Sequence, residues 1–233
     1  MSTLLMRLAA PIQSWGVDAK FDRRSTGRIP TKSGILGMIA AALGRRRNEN
    51  IEDLLKLRFG VRIDKEGSLL RDFQTARSLK SAYVTHRYYL SDAIFLAGLE
   101  GDEKLLKKIE FALNNPEFPL FLGRRSCPPE GKVSLGIRTG KKLLDALREE
   151  PWLVSYWQGR KENSKMTLRI ILDADDTDES YFFQRDLPLS FDQEYRKYGF
   201  RRVAEATSHV IDNEQEYYFG VGNSTKHDPM KEL

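Results

Sequence analysis

Three clusters in this chain of 233 residues have residue types and spacings that could do chemistry. The first is Gly27-Arg28-Ile29-Pro30-Thr31-Lys32-Ser33, which leads into an apolar segment and invites comparison with a phosphate-cradling P-loop. The comparison fails. A P-loop needs a second glycine directly before its lysine, but Thr31 stands there, and Pro30 has no N–H to offer. Nucleotide hydrolysis is thereby set aside. What survives is a helix N-terminus whose free N–H groups, with Thr31, Lys32 and Ser33, suit one backbone phosphate. Ordinary capping of a buried helix is the alternative reading. The second cluster is His86, Tyr88 and either Lys80 or Arg87. A general base beside cations is enough for metal-free attack of a ribose 2′-hydroxyl on its own phosphodiester. Residues 85–89 also alternate like a strand, where one histidine among aromatics serves packing equally well. The third is Gly123-Arg124-Arg125. The glycine lets backbone approach RNA closely, and either guanidinium can grip a phosphate with two parallel bonds.

Metal chemistry has little to work with. The three histidines (His86, His209, His227) and the single cysteine, Cys127, show no zinc-ligand spacing. The aspartates of 173–179 lack the glycine and closing glutamate of a calcium loop, so neither metal nor cofactor is expected. A lone cysteine forms no intramolecular disulfide, which fits a reducing, cytoplasmic compartment. The apolar opening at 3–10 is interrupted by Arg7 and stopped by Pro11, far short of a membrane span or signal peptide.

Charge is segregated along the chain. The whole carries 38 Lys and Arg against 33 Asp and Glu, a formal net charge of +5. Residues 1–47 hold nine basic residues against two acidic ones, and 120–142 hold six against one, whereas 173–194 hold eight acidic residues against Arg185 alone. Such a chain suits laying one face along a polyanion, although solvated surface charge is the plainer reading. Trp15, Phe21, Tyr83, Tyr88 and Tyr89 lie in or beside the basic stretches, a composition for stacking unpaired bases. The aromatic strand signature of the ordinary RNA-recognition module is absent, with only a faint echo in Lys197-Tyr198-Gly199-Phe200. RNA contact is therefore expected from loops rather than from a sheet face.

These residues must be held by elements that the pattern predicts. A short strand over 3–10 precedes a long basic loop. A helix over 35–44 follows, with Thr31 or Ser33 as its N-cap and Gly44 as its stop. Residues 59–64 and 69–75 alternate as strands and read as a hairpin about a turn at 65–68. Strands at 83–90 and 93–99 come next, then a helix capped by Asp102 with Leu105, Leu106, Ile109, Ala112 and Leu113 on one face. Leu120-Phe121-Leu122 reads as a closing strand. That order is α+β, a ferredoxin-like (RRM-like) split βαβ palm with an inserted hairpin. Beyond it lie a short helix over 141–149 and strands at 167–172, 180–184 and 216–219. The predicted division is 1–140 for the palm and 141–233 for a smaller β-rich region.

Four motifs occur in one order: Leu8-Ala9-Ala10-Pro11-Ile12-Gln13-Ser14-Trp15-Gly16, Thr26-Gly27-Arg28-Ile29-Pro30-Thr31-Lys32-Ser33-Gly34-Ile35-Leu36-Gly37, Tyr89-Leu90-Ser91-Asp92-Ala93-Ile94-Phe95, and Pro119-Leu120-Phe121-Leu122-Gly123-Arg124-Arg125-Ser126-Cys127-Pro128. Together they resemble the CRISPR-associated protein 5 family, and most closely its type I-E form. The resemblance spans residues 4–128 and implies a non-enzymatic subunit of the Cascade antiviral surveillance complex. Such a subunit grips the 5′ handle of the CRISPR RNA and caps the backbone filament. Its implied partners are that RNA, the backbone and large subunits, and target DNA only indirectly, through guide pairing. Family members resemble a right hand, with a ferredoxin-like palm and a β-hairpin thumb whose place here is 73–90. Some type I-C relatives cleave repeat RNA, which keeps a metal-independent endoribonuclease using His86, Tyr88 and Lys80 as the alternative. The expected RNA-binding residues are Trp15, Arg24, Arg28, Lys32 and Ser33 near the handle, Arg77, Lys80 and Arg87 on or near the thumb, and Arg124 and Arg125 as a phosphate clamp.

Overall fold

In a computed structural model the described residues are 1–16, 23–77, 81–154, 165–176, 178–192 and 194–212. The elements run β1 (Ser2–Ala9), β2 (Ile12–Gln13), β3 (Arg23–Arg24), α1 (Lys32–Ala42), α2 (Glu52–Leu55), β4 (Arg58–Lys65), β5 (Ser68–Arg77), β6 (Ala82–Ser91) and β7 (Ile94–Gly101). They continue α3 (Glu103–Asn114), β8 (Ser134–Arg138), α4 (Leu143–Glu149), β9 (Lys165–Met166), β10 (Arg169–Asp173), β11 (Phe182–Ser190), β12 (Lys197–Thr207) and β13 (Ile211–Asp212). The result is an α+β fold built on mostly antiparallel sheets, with β3 running parallel to β6. Seven strands lie in the order β11-β12-β10-β4-β7-β1-β8, and a second sheet orders β2-β6-β3 with β5 on β6.

The long sheet is buried on both faces because its central strands are apolar at nearly every position. In β1, Leu4, Met6 and Leu8 join one core with α1 and α3, while Leu5 turns to the other face, where it meets α4. Phe95, Ala97 and Leu99 against Leu96 repeat that alternation on β7, as the two-residue period of a strand requires. Each fully enclosed Leu or Phe contributes about 1.5–3 kcal/mol. On the α4 face Gly60 and Gly98 are paired neighbours, and a Cβ on Gly98 would stand 2.7 Å from Leu143. Their missing side chains let α4 lie directly on the sheet.

α4 is only seven residues long, and the sheet holds both of its ends. Glu100 Oε2 accepts from the Leu143 N–H at 2.9 Å, at the positive end of the helix. Arg62 donates to the Leu147 and Pro151 carbonyls at 2.7 and 2.8 Å, at the negative end. Arg62 is itself neutralised by Asp64, two residues along the same strand, through two bonds of 2.8 Å.

Several local expectations hold. Thr31 caps α1 by accepting from the Gly34 N–H, Asp102 caps α3 by accepting from the Leu105 N–H, and Gly44 follows α1 at φ 75°. Two pairings differ. Strands 59–64 and 69–75 do not form a hairpin: β4 lies between β7 and β10, whereas β5 leaves that sheet and pairs with β6 along its whole length. β4 is buried from Phe59 to Asp64 and β5 is almost wholly exposed, so the two suit different environments. Residues 120–122 form no strand either: Leu122 O accepts a single bond from the Ser14 N–H, while the Leu122 N–H turns back to the Cys127 carbonyl, so no ladder runs along the segment. The edge of β1 is covered instead by β8. The strand expected at 216–219 lies outside the described residues.

Candidate nucleic-acid interface

The loop between β1 and α1 is organised around Trp15. Its ring is 1% exposed and packs on Gly34, where a Cβ would stand 2.9 Å from it. The indole N–H donates to Gln13 Oε1 at 3.1 Å, and the Gln13 amide donates to the Leu8 and Ala93 carbonyls. The Trp15 backbone N–H reaches Thr26 Oγ1 at 2.8 Å, and Gly27 N–H reaches the Trp15 carbonyl at 2.8 Å. The reading of Trp15 as a base-stacking platform is therefore corrected: an enclosed ring presents no face, and this one pins 26–27 beside the start of α1.

Lys32 is corrected as well. It is 5% exposed, and its ammonium donates to Asp173 Oδ2 at 2.7 Å. The Lys32 backbone N–H donates to Asp186 Oδ2 at 2.8 Å, so the chain's own carboxylate fills the helix N-terminus expected to take a phosphate. Arg201 completes the group, bonding Asp186 at 2.6 and 3.0 Å and Asp173 at 2.7 Å beneath the Phe59 ring. Burial works against its charge, but the two aspartates together raise the guanidinium pKa above its ordinary value. Two of the acidic residues of 173–194 thus face inward. Ser33 Oγ lies 3.3 Å from Thr31 Oγ1 and belongs to the cap.

The turn after residue 122 is fixed by Gly123, at φ 87°, where a Cβ would lie 1.6 Å from the Ser14 carbonyl oxygen. Only glycine fits that contact and that dihedral. Arg124 then points toward β6 and β3. It donates to the Tyr88 carbonyl at 3.2 Å and to the Arg24 and Ser25 carbonyls at 2.8 and 3.2 Å, with its guanidinium 4.8 Å from the centre of the Tyr89 ring. Burial alone would push the Tyr89 phenol up. Hydrogen bonds from Ser126, Arg124 and Arg87, with the Arg124 charge, hold it below its usual value. Cys127 is fully enclosed and its thiol is pushed up by burial, which leaves it unreactive.

Arg125 points the other way, into a cleft of about 840 Å³. Small residues of α1, including Gly34, Gly37 and Ala41, line one side. Phe118, Phe121, Phe191 and Tyr198 supply rings, and Arg45, Arg46, Arg47, Arg125 and Arg196 supply cations. No acidic residue lines the cleft among the described residues. Arg45 is neutralised by Asp53 through bonds of 2.6 and 2.5 Å, whereas Arg46, Arg47, Arg125 and Arg196 have no ion pair among the described residues. Arg46, Arg47 and Arg196 were not among the expected contact residues. The run Arg45-Arg46-Arg47 just after a helix was the available signal; for Arg196 there was none.

The second sheet projects as an arm. β5 and β6 pair from Ser68↔Ser91 to Arg77↔Ala82, and Leu69, Leu70, Phe73, Tyr83 and Val84 stand exposed on it. Arg77 lies roughly 30 Å along β5 from the root at Ser68. At the root, Arg24 sits in register with Arg87, and Arg24 and Arg28 are exposed. His86 and Tyr88 share a face of β6, both half-buried, and the His86 Nδ1 and Arg87 Nε have no partner among the described residues. Lys80 lies outside the described residues. Of the expected positions, Ser33 and Arg125 lie on the cleft with Trp15 enclosed in its wall, Arg24, Arg87 and Arg124 meet at the arm's root, Arg77 lies far along the arm, and Lys32 is sealed in the ion group. Among the described residues no helix is long and apolar enough to cross a membrane, and no group of three or more His, Cys, Asp or Glu could hold a metal ion.

Comparison with known proteins places this geometry. Residues 3–204 match a family profile described as CRISPR-associated protein (Cas_Cas5). The CRISPR system Cascade subunit CasD of Escherichia coli (strain K12) is 35% identical over 158 residues, which cover 58% of this chain and 70% of that protein. A solved structure described as a CRISPR RNA-guided surveillance complex contains a chain that is 30% identical, superposing with a TM-score of 0.75 over 90% of this chain and 91% of that one. Another, described as the crystal structure of a Cas protein, is 38% identical with a TM-score of 0.69 over 91% and 96% of the two chains.

Proposed function

The chain belongs to the CRISPR-associated Cas5 family, and on that premise we propose that it is a non-catalytic subunit of a type I-E Cascade surveillance complex that holds the 5′ handle of the guide RNA. The observation that carries this reading is the cleft. Four arginines without an ion pair among the described residues, set around aromatic rings and a small-residue helix face with no carboxylate in the described lining, suit phosphates and unstacked bases together. The central strands with α1 and α3 serve as the ferredoxin-like palm and the β5–β6 arm as the thumb, with Arg87 at its root and Arg77 far along it. Residues 1–140 contain both. The region from 141 onward supplies the second wall of the cleft through Phe191, Arg196 and Tyr198. Arg24 and Arg28 stand exposed nearby and extend the basic surface toward the arm's root. The exposed arm, with Leu69, Leu70, Phe73, Tyr83 and Val84, is the surface on which a neighbouring subunit would sit, and target DNA is read by guide pairing rather than by this chain.

The test is fluorescence anisotropy with a labelled CRISPR RNA across a salt series, alongside incubation with repeat RNA in EDTA. Binding should weaken steeply as salt rises, by about 0.7 in the log–log slope for each phosphate contact. The repeat RNA should remain intact. Site-specific cleavage in EDTA that disappears on His86→Ala would replace this reading with the endoribonuclease one, and salt-independent binding would remove the cleft from it.

A further inference from the structure

We propose that the two neighbouring arginines after Gly123 have opposite duties: Arg125 contacts RNA, while Arg124 is a positioning residue that holds β3 and β6 in the shape the RNA meets. The inference rests on the guide-RNA reading above and replaces the idea of a shared phosphate clamp.

The geometry of the Arg124 guanidinium carries it. Nη2 donates to two carbonyl oxygens, those of Arg24 and Ser25, and Nη1 donates to that of Tyr88. A guanidinium grips an anion with two parallel bonds along one of two edges, and both edges include Nη2. Neither edge is open without releasing the backbone it holds. The Tyr89 ring occupies one side of the group as well, with its centre 4.8 Å from the guanidinium carbon. The acceptors belong to segments 36 and about 100 residues away, so this one side chain ties the β3 segment, β6 and the turn after Gly123 into a single corner. At that corner Arg24 is brought beside Arg87. Lysine cannot replace it, because an ammonium has neither a planar face for the ring nor a fork for two strands. Arg125 has the reverse character: exposed, without a partner among the described residues, and lining the cleft.

The test uses the full chain and a fluorescently labelled CRISPR RNA with an intact 5′ handle, titrated by anisotropy at several salt concentrations. Arg125→Ala should lower the log–log slope by about 0.7, and Arg125→Lys should restore it. Arg124→Lys should leave the slope unchanged while weakening binding about tenfold or more at every salt concentration, the scale of hydrogen bonds to a charged group. A second readout needs no RNA. Trypsin cleavage at Arg23, Arg24 and Arg28 should accelerate in Arg124→Lys and stay at the wild-type rate in Arg125→Lys. Should Arg124→Lys fail to fold, Tyr89→Leu removes the supporting ring, keeps every charge, and should reproduce both effects. Wild-type affinity and wild-type proteolysis in Arg124→Lys would overturn the proposal, as would an Arg124→Ala slope loss equal to that of Arg125→Ala with unchanged proteolysis. If changes at Arg125, Arg46 and Arg47 all leave RNA binding untouched, the guide-RNA reading fails, and the proteolysis arm still decides whether Arg124 is a strut.

Discussion

Two groups of cations in this protein draw on the same elements and have opposite fates. α1 begins with Lys32, sealed against Asp173, and is followed by Arg46 and Arg47, which stand open at the cleft. Arg201 on β12 is closed in by Asp173 and Asp186, while Arg196, just before that strand, is open. The difference teaches that a basic residue's availability is decided by what lies across the sheet from it. The enclosed group fixes the hairpin β11–β12 to the start of α1; the open group has no carboxylate partner among the described residues and is free to meet an outside anion.

The largest way to break this comparison is Arg201→Met. It leaves the Asp173 and Asp186 carboxylates enclosed with Lys32 alone, and stripping one partner from a buried ion group costs about 3–5 kcal/mol. Urea denaturation should show that loss. A loss under about 1 kcal/mol would mean that the carboxylates are hydrated and that the two groups are alike.

At the open group the expectation is inverted. The double variant Arg46→Ala/Arg47→Ala should stay within about 0.5 kcal/mol of wild-type stability, as exposed substitutions usually do. Its RNA-binding salt slope should fall by up to about 1.4. An unchanged slope with lowered stability would place these arginines in the structural class.

The smallest effect sharpens the boundary. Arg45 lines the cleft but is paired with Asp53, so Arg45→Ala should alter the salt slope less than either neighbour does, and Asp53→Asn should steepen it. The hydrogen bond from Arg45 holds the Asp53 carboxyl below its ordinary range. Its folded value is depressed, so the stabilisation it gives is present above the unfolded value and is lost as pH falls through the folded one. Acid denaturation of Arg45→Ala should therefore begin at a higher pH than in the wild type, by a small margin because Asp53 is partly exposed.

Much of the fold was legible where the signal is local. Thr31, Asp102 and Gly44 mark helix ends by hydrogen bonds or dihedrals within three residues of themselves, and the apolar face of α3 repeats at helical spacing. Strand existence was legible from alternation, but strand partners were not. Alternation says that β4 and β5 are strands and nothing about which lies beside which, so the short turn between them misled. Leu120-Phe121-Leu122 looked like a strand because enclosed loops and strands share apolar composition. The site was less legible still. Lys32 meets its partner 141 residues away, and Arg124 meets Arg24 100 residues away, so a basic motif could not distinguish a contact from a strut.

The shortness of α4 has a consequence for the order in which the chain assembles. Seven residues are too few for a helix to persist in water, because nucleation is not recovered within two turns. Its two end clasps come from different strands, Glu100 on β7 and Arg62 on β4, which must already lie side by side before both can reach it. α4 is thus a late arrival by necessity, and its appearance during refolding marks the moment at which the middle of the sheet has closed.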